Sequence, residues 1–185
     1  MKNSWYILSF IIVLFSCQKK EGAKEKKSPV KTEAKSYAII SGTIKNSKDD
    51  YFIFLGKHIN QRIDLREDGS FLDTLKISVV TTNGIKINKT QIPIYIKNGD
   101  NLNITADLNN FPESISYNGI GANENTYLLA QYMYGVNQGR SSDTSIYQLD
   151  QESFNKKIEE YKIGLDSIDG LYQNINPNLL ELTKK

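Results

Sequence analysis

The chain has 185 residues, enough for one domain with an appendage, and the roughly 150 that follow a non-globular leader can bury a core without disulfides or metal. A single cysteine and a single histidine exclude a CxxC redox centre and a Cys/His zinc site within this chain. The formal charge of +2 divides into +5 over residues 1–35 (eight Lys, three Glu) and −3 over residues 36–185 (fifteen basic, eighteen acidic), which argues against nucleic acid as a partner.

Lys2 supplies a positive start, and Trp5 to Phe15 form an apolar run too short for a stable membrane span, which needs about 20 residues, but of the length found in secretory signals. Leu14-Phe15-Ser16-Cys17 resembles the lipobox of bacterial lipoproteins, with a branched apolar residue at −3, a small residue at −1 and cysteine at +1. Residues 1–17 therefore read as a lipoprotein signal peptide, with Cys17 as the lipidation site and membrane lipid as its partner. A buried or free cysteine after an apolar run is the plainer alternative. Gln18 to Ser36 is Lys/Glu-rich, has almost no large apolar residue and reads as a disordered linker. Lys19 and Lys20 could act in sorting, although ordinary linker charge accounts for them equally well.

From Tyr37 to Asn118 the pattern is short, β-branched and punctuated, predicting strands at Tyr37–Ile44, Tyr51–Leu55, Arg62–Leu65, Phe71–Leu75, Gly84–Asn88, Ile92–Lys97, Leu102–Leu108 and Ile115–Tyr117. Asn46-Ser47-Lys48-Asp49-Asp50, Glu67-Asp68-Gly69-Ser70 and Lys97-Asn98-Gly99-Asp100 carry turn chemistry between them. The expectation is a mainly β fold: an antiparallel β-sandwich over 37–118, followed by an α-helical hairpin over 119–185.

After Gly119-Ile120-Gly121 the period becomes helical, with Asn123 as the expected N-cap and Tyr127, Leu128, Ala130, Gln131 and Tyr134 within the helix. Asp150 is the expected N-cap of a second helix, whose Phe154, Ile158, Tyr161, Leu165, Ile168 and Tyr172 fall at spacings of 4, 3, 4, 3 and 4 and form one apolar stripe. Such a stripe is a packing face for the first helix, the sheet or a partner. Asn176-Pro177 reads as a third helix start, and its position eight residues before Lys185 suggests a further domain lost or lying in another frame.

Other candidates for chemistry resolve into structure. His58 reads as a surface or hydrogen-bonded histidine without a metal-spaced neighbour. Gly119-Ile120-Gly121 lacks the third glycine and the βαβ setting of a dinucleotide fingerprint, and reads as a sheet-to-helix joint. Asp68-Gly69 and Asp100-Asn101 lack alternating oxygen donors for calcium, and Asp49-Asp50 reads as solvated charge in a turn. Catalytic, cofactor and metal residues are therefore all expected to be absent. Tyr127, Tyr132, Tyr134, Tyr161 and Tyr172, among eleven tyrosines, suit packing more readily than an aromatic sugar-binding surface.

The order of these parts resembles the N-terminal portion of TlpA-like thiol-disulfide oxidoreductases of Bacteroidota. It runs from the lipobox and charged linker to Ile40-Ser41-Gly42-Thr43-Ile44, the turn Asn98-Gly99-Asp100 and the joint Tyr117-Asn118-Gly119-Ile120-Gly121-Ala122-Asn123-Glu124-Asn125. In that family a β-sandwich of the DUF4369 kind precedes a thioredoxin-like domain carrying the CxxC. The resemblance implies a non-catalytic, envelope-anchored accessory module, outer-membrane or surface-exposed. It also implies that the helix bearing Phe154, Ile158, Tyr161, Leu165 and Ile168 docks a thioredoxin-like domain or another protein. Capture of glycans or peptides at the cell surface is the alternative.

Overall fold

A computed structural model describes residues 35–138 and 144–184. The strands are β1 (Ala38–Lys45), β2 (Tyr51–Gly56), β3 (Ile59–Asp64), β4 (Ser70–Leu75), β5 (Thr82–Ile87), β6 (Thr90–Tyr95), β7 (Asn101–Asp107) and β8 (Ser116–Ile120). Helices α1 (Ala122–Asn137), α2 (Gln151–Leu171) and α3 (Pro177–Thr183) follow, with short 3₁₀ turns at Leu108–Asn110 and Ser145–Gln148.

The strands form two four-stranded sheets, ordered β4-β1-β7-β8 and β3-β2-β5-β6. Alternation directs one side chain in two toward a shared core: Ala38, Ile40 and Ile44 of β1 and Leu102, Ile104 and Ala106 of β7 meet Phe52 and Phe54 of β2 and Ile85 and Ile87 of β5. The Phe52 and Phe71 rings join the two sheets edge to face, 4.9 Å between centroids. That geometry adds directional attraction to the area buried.

Two expectations are corrected. All but one of the strand pairs are antiparallel, the exception being β1 and β7, which run parallel with Ile40 opposite Leu102 and Ile44 opposite Ala106. Nothing local to either strand selects its neighbour, so alternation could not reveal this pairing. Nor is the fold mainly β: helix accounts for 35% of the described residues and strand for 34%, because α2 alone runs for 21 residues and two 3₁₀ turns add to the expected helices.

Element ends also differ in detail. β3 begins three residues before its expected start, because Lys57 and His58 make a tight turn from β2 and let Ile59 pair with Gly56. α1 is capped by Gly121 rather than Asn123, and the Asn123 side chain instead donates to the Gln173 carbonyl at 3.0 Å. The glycine caps here because its φ of 98° is the left-handed conformation that residues with a side chain avoid.

Candidate functional site

The joint between the sheets and helices is built from three polar residues. Asp100 is only 2% exposed, and its carboxylate accepts from the Lys97 backbone N–H at 2.9 Å and from the Lys97 ammonium at 2.6 Å. A Cβ on Gly121 would lie 3.2 Å from that carboxylate, so α1 starts directly against the turn that precedes β7. Asn98 clamps Ile77, accepting from its N–H at 2.9 Å and donating to its carbonyl at 3.0 Å.

Asn125, fully buried, completes the joint. It accepts from the Tyr95 N–H at 2.9 Å and donates to the carbonyls of Tyr95 at 2.7 Å and Gly121 at 2.8 Å. The amide side chain thereby acts as a further strand partner for β6, satisfying backbone groups that an edge strand leaves open.

Around this joint Tyr95, Tyr127, Leu128, Ile175 and Leu179 form a second core cluster, with Ile168 and Tyr172 against it. At its polar margin the Tyr127 hydroxyl donates to Asp169 at 2.6 Å and accepts from the Gln131 amide at 2.6 Å, and Thr183 lies 3.1 Å away. Burial, and then the hydrogen bond to the Asp169 carboxylate, push the Tyr127 hydroxyl up to about 12. A phenol held neutral in this way is a structural donor, not a base.

The apolar stripe of α2 is thus divided. Its C-terminal part, Ile168 and Tyr172, belongs to the second cluster. Its N-terminal part, Phe154, Ile158, Tyr161 and Leu165, lines a groove of about 550 Å³ facing Gln131 and Tyr134 of α1 and Ile146 and Tyr147 of the 3₁₀ turn. α2 has no fully buried residue, and Tyr147 at the rim is 80% exposed. An amphipathic helix normally covers such a stripe against its own core; here these four side chains are half-buried and line a groove instead of a closed core.

Close packing of α1 on α2 shapes the groove floor. The Tyr134 and Tyr161 rings lie 5.4 Å apart. Each sits beside a glycine of the opposite helix: Tyr134 over Gly164, and Tyr161 with its hydroxyl 3.2 Å from where a Cβ on Gly135 would be.

The remaining candidates are dispersed. His58 is exposed in the β2–β3 turn. Hydrogen bonding to Ser70, by its hydroxyl and then by its N–H at 2.9 Å, holds the Asp68 carboxyl below the usual range. Asp49 and Asp50 are exposed before β2. Of the tyrosines, Tyr127 is in the second cluster, Tyr134 and Tyr161 are at the α1–α2 contact, and Tyr132 faces a separate cleft on the second sheet. Cys17 lies outside the described residues, and among those described no three His, Cys, Asp or Glu groups converge on a metal site.

Sequence reasoning missed Asp100, Asn125 and the Tyr127–Asp169 pair. Asp100 and Asn125 were visible only as turn and helix polar residues, since burial depends on contacts 21 to 30 residues away. The chain matches no protein-family model, no curated protein and no solved structure.

Proposed function

We propose that this chain is a lipid-anchored envelope protein, held by acylated Cys17 at an outer membrane facing the periplasm. Its folded part serves as a non-catalytic accessory module of the TlpA-like kind. The two sheets are then read as the β-sandwich of that family and α1 with α2 as its helical hairpin. The single observation that supports a docking role is the groove along the N-terminal half of the α2 stripe. Four apolar or aromatic side chains at Phe154, Ile158, Tyr161 and Leu165 share one groove instead of a closed core. A thioredoxin-like domain is the proposed occupant, since the chain's lone cysteine cannot form a dithiol. Among the described residues no helix is long and apolar enough to cross a membrane; the anchor in this reading is the lipid on Cys17.

Cys17→Ala should move the protein from the membrane fraction to the soluble fraction and abolish labelling by a palmitate analogue; persistent labelling overturns the anchor. Ile158→Asp should weaken co-purification with a co-expressed TlpA-like thioredoxin domain while leaving the fold's circular dichroism unchanged. Equal recovery of the two forms, or no recovery with either, overturns the docking role.

A second reading, capture of surface glycans or peptides, is favoured by the cleft beside Tyr132. A glycan-array and peptide pull-down screen with no enriched ligand would count against it.

A further inference from the structure

At one end of the second sheet, where β2 leaves and β5 begins, lies an open cleft of about 770 Å³, within the range of small-molecule sites. Its floor is a row across three strands, Leu55 opposite Gly84 and Gly84 opposite Pro93. Gly84 is buried yet has no side chain of its own, and the Gln91 amide lies above it, 2.9 Å from where a Cβ would be. Tyr132 of α1, with Thr82 and Asn83, completes the lining.

Three features define what fits. The side chains of Tyr132, Gln91 and Thr82 make no hydrogen bond among the described residues, and Asn83 uses only one N–H, toward the Thr81 carbonyl at 3.0 Å. Their remaining donors and acceptors are therefore available at one place. Lys57 is the only charged residue in the lining, so nothing there selects a strongly charged ligand. The cleft lies on the face and end of the sheet, and the β6 edge beside it is bonded by Asn125 at Tyr95 and carries Pro93, which has no N–H to donate, so a peptide would meet an interrupted ladder there.

We propose that this cleft binds an uncharged saccharide unit, with a ring face against Tyr132 and hydroxyls bonded to the Gln91 and Asn83 amides and to Thr82. An aromatic wall with planar amides and a glycine floor matches a flat, polyhydroxylated ring with one apolar face. This rests on the glycan-capture reading and names its site.

The test uses the full chain in detergent, immobilised and titrated with neutral tetrasaccharides: cello-, malto-, manno- and N-acetylchito-oligomers. At least one should bind, and Tyr132→Ala should weaken it by about tenfold or more through loss of the ring, whereas Tyr132→Phe should retain most of the affinity. Gly84→Ala should also weaken binding by pushing Gln91 off the floor. Gln91→Ala, an exposed change that leaves folding intact, should lower affinity several-fold. Ile158→Asp, in the distant helical groove, should have no effect. If a tetrasaccharide binds with equal strength to the Tyr132, Gly84 and Gln91 variants, this site is wrong while glycan capture stands. If none binds, the proposed ligand class is overturned.

Discussion

Tyr134 on α1 occupies the space that a side chain at Gly164 on α2 would fill, with both its hydroxyl and its ring edge inside the radius of a Cβ. The two helices approach closely because one position has no side chain, and that approach sets the depth of the groove beside them.

Gly164→Ala should therefore destabilise the protein by about 1–3 kcal/mol, the cost of forcing a methyl group into a filled space. Gly170→Ala on the same helix, where nothing lies within 4 Å of a Cβ, should instead stabilise by roughly 0.5–1 kcal/mol through helix propensity. Urea midpoints of the two variants should shift in opposite directions. In a Tyr134→Ala background the Gly164 penalty should largely disappear, a non-additivity expected only for groups in contact.

Asn125→Ala removes three buried hydrogen bonds and leaves the Tyr95 N–H and carbonyl without their partner. The expected loss is roughly 3 kcal/mol, since each orphaned buried group costs about 1–3 kcal/mol. Asn125→Asp should be no better, because the two bonds donated to carbonyls become oxygen-to-oxygen contacts. Hydrogen exchange at the Tyr95 amide should rise by more than exchange in β1. Equal changes in both strands would show that Asn125 does not act locally at the β6 edge.

Tyr127 carries an alkaline pH dependence. Its folded pKa, pushed up to about 12, stands above the ordinary value near 10, so the folded state holds the proton longer than the unfolded chain. Its contribution is fully present below about pH 10 and is lost as pH rises from there through about 12. Ultraviolet titration should show Tyr127→Phe removing one late-ionising phenol, and the variant's stability should fall less steeply over that interval. Ionisation of the removed phenol near pH 10 would contradict the packing described for the Tyr127–Asp169 pair.

Features governed by near neighbours were legible in the sequence. Each of the eight expected strands overlaps an observed one, since β-branched alternation and turn residues act within a few positions. Asp150 caps α2 as expected, accepting from the Ser153 N–H at 2.9 Å, and Asn176 caps α3 with Pro177 in its first turn. The candidate site was legible only as a stripe: Phe154 through Tyr172 marked the apolar face of α2, without indicating which part would be covered. The saccharide cleft was less visible still, because Leu55, Gly84, Gln91 and Tyr132 are distant in the chain and meet only through strand register and the placement of α1.

The sequence by itself determined the strands and helices, the Asp150 and Asn176 caps and the apolar faces, because periodicity and hydrogen-bond competition at helix ends are local. Tertiary structure alone decided the parallel β1–β7 pairing, the burial of Asp100 and Asn125, and the division of the α2 stripe between the second core cluster and a groove. Each of these depends on which surfaces meet, and that is settled by the packing of the whole chain: a residue's environment is set by neighbours that its own segment does not contain.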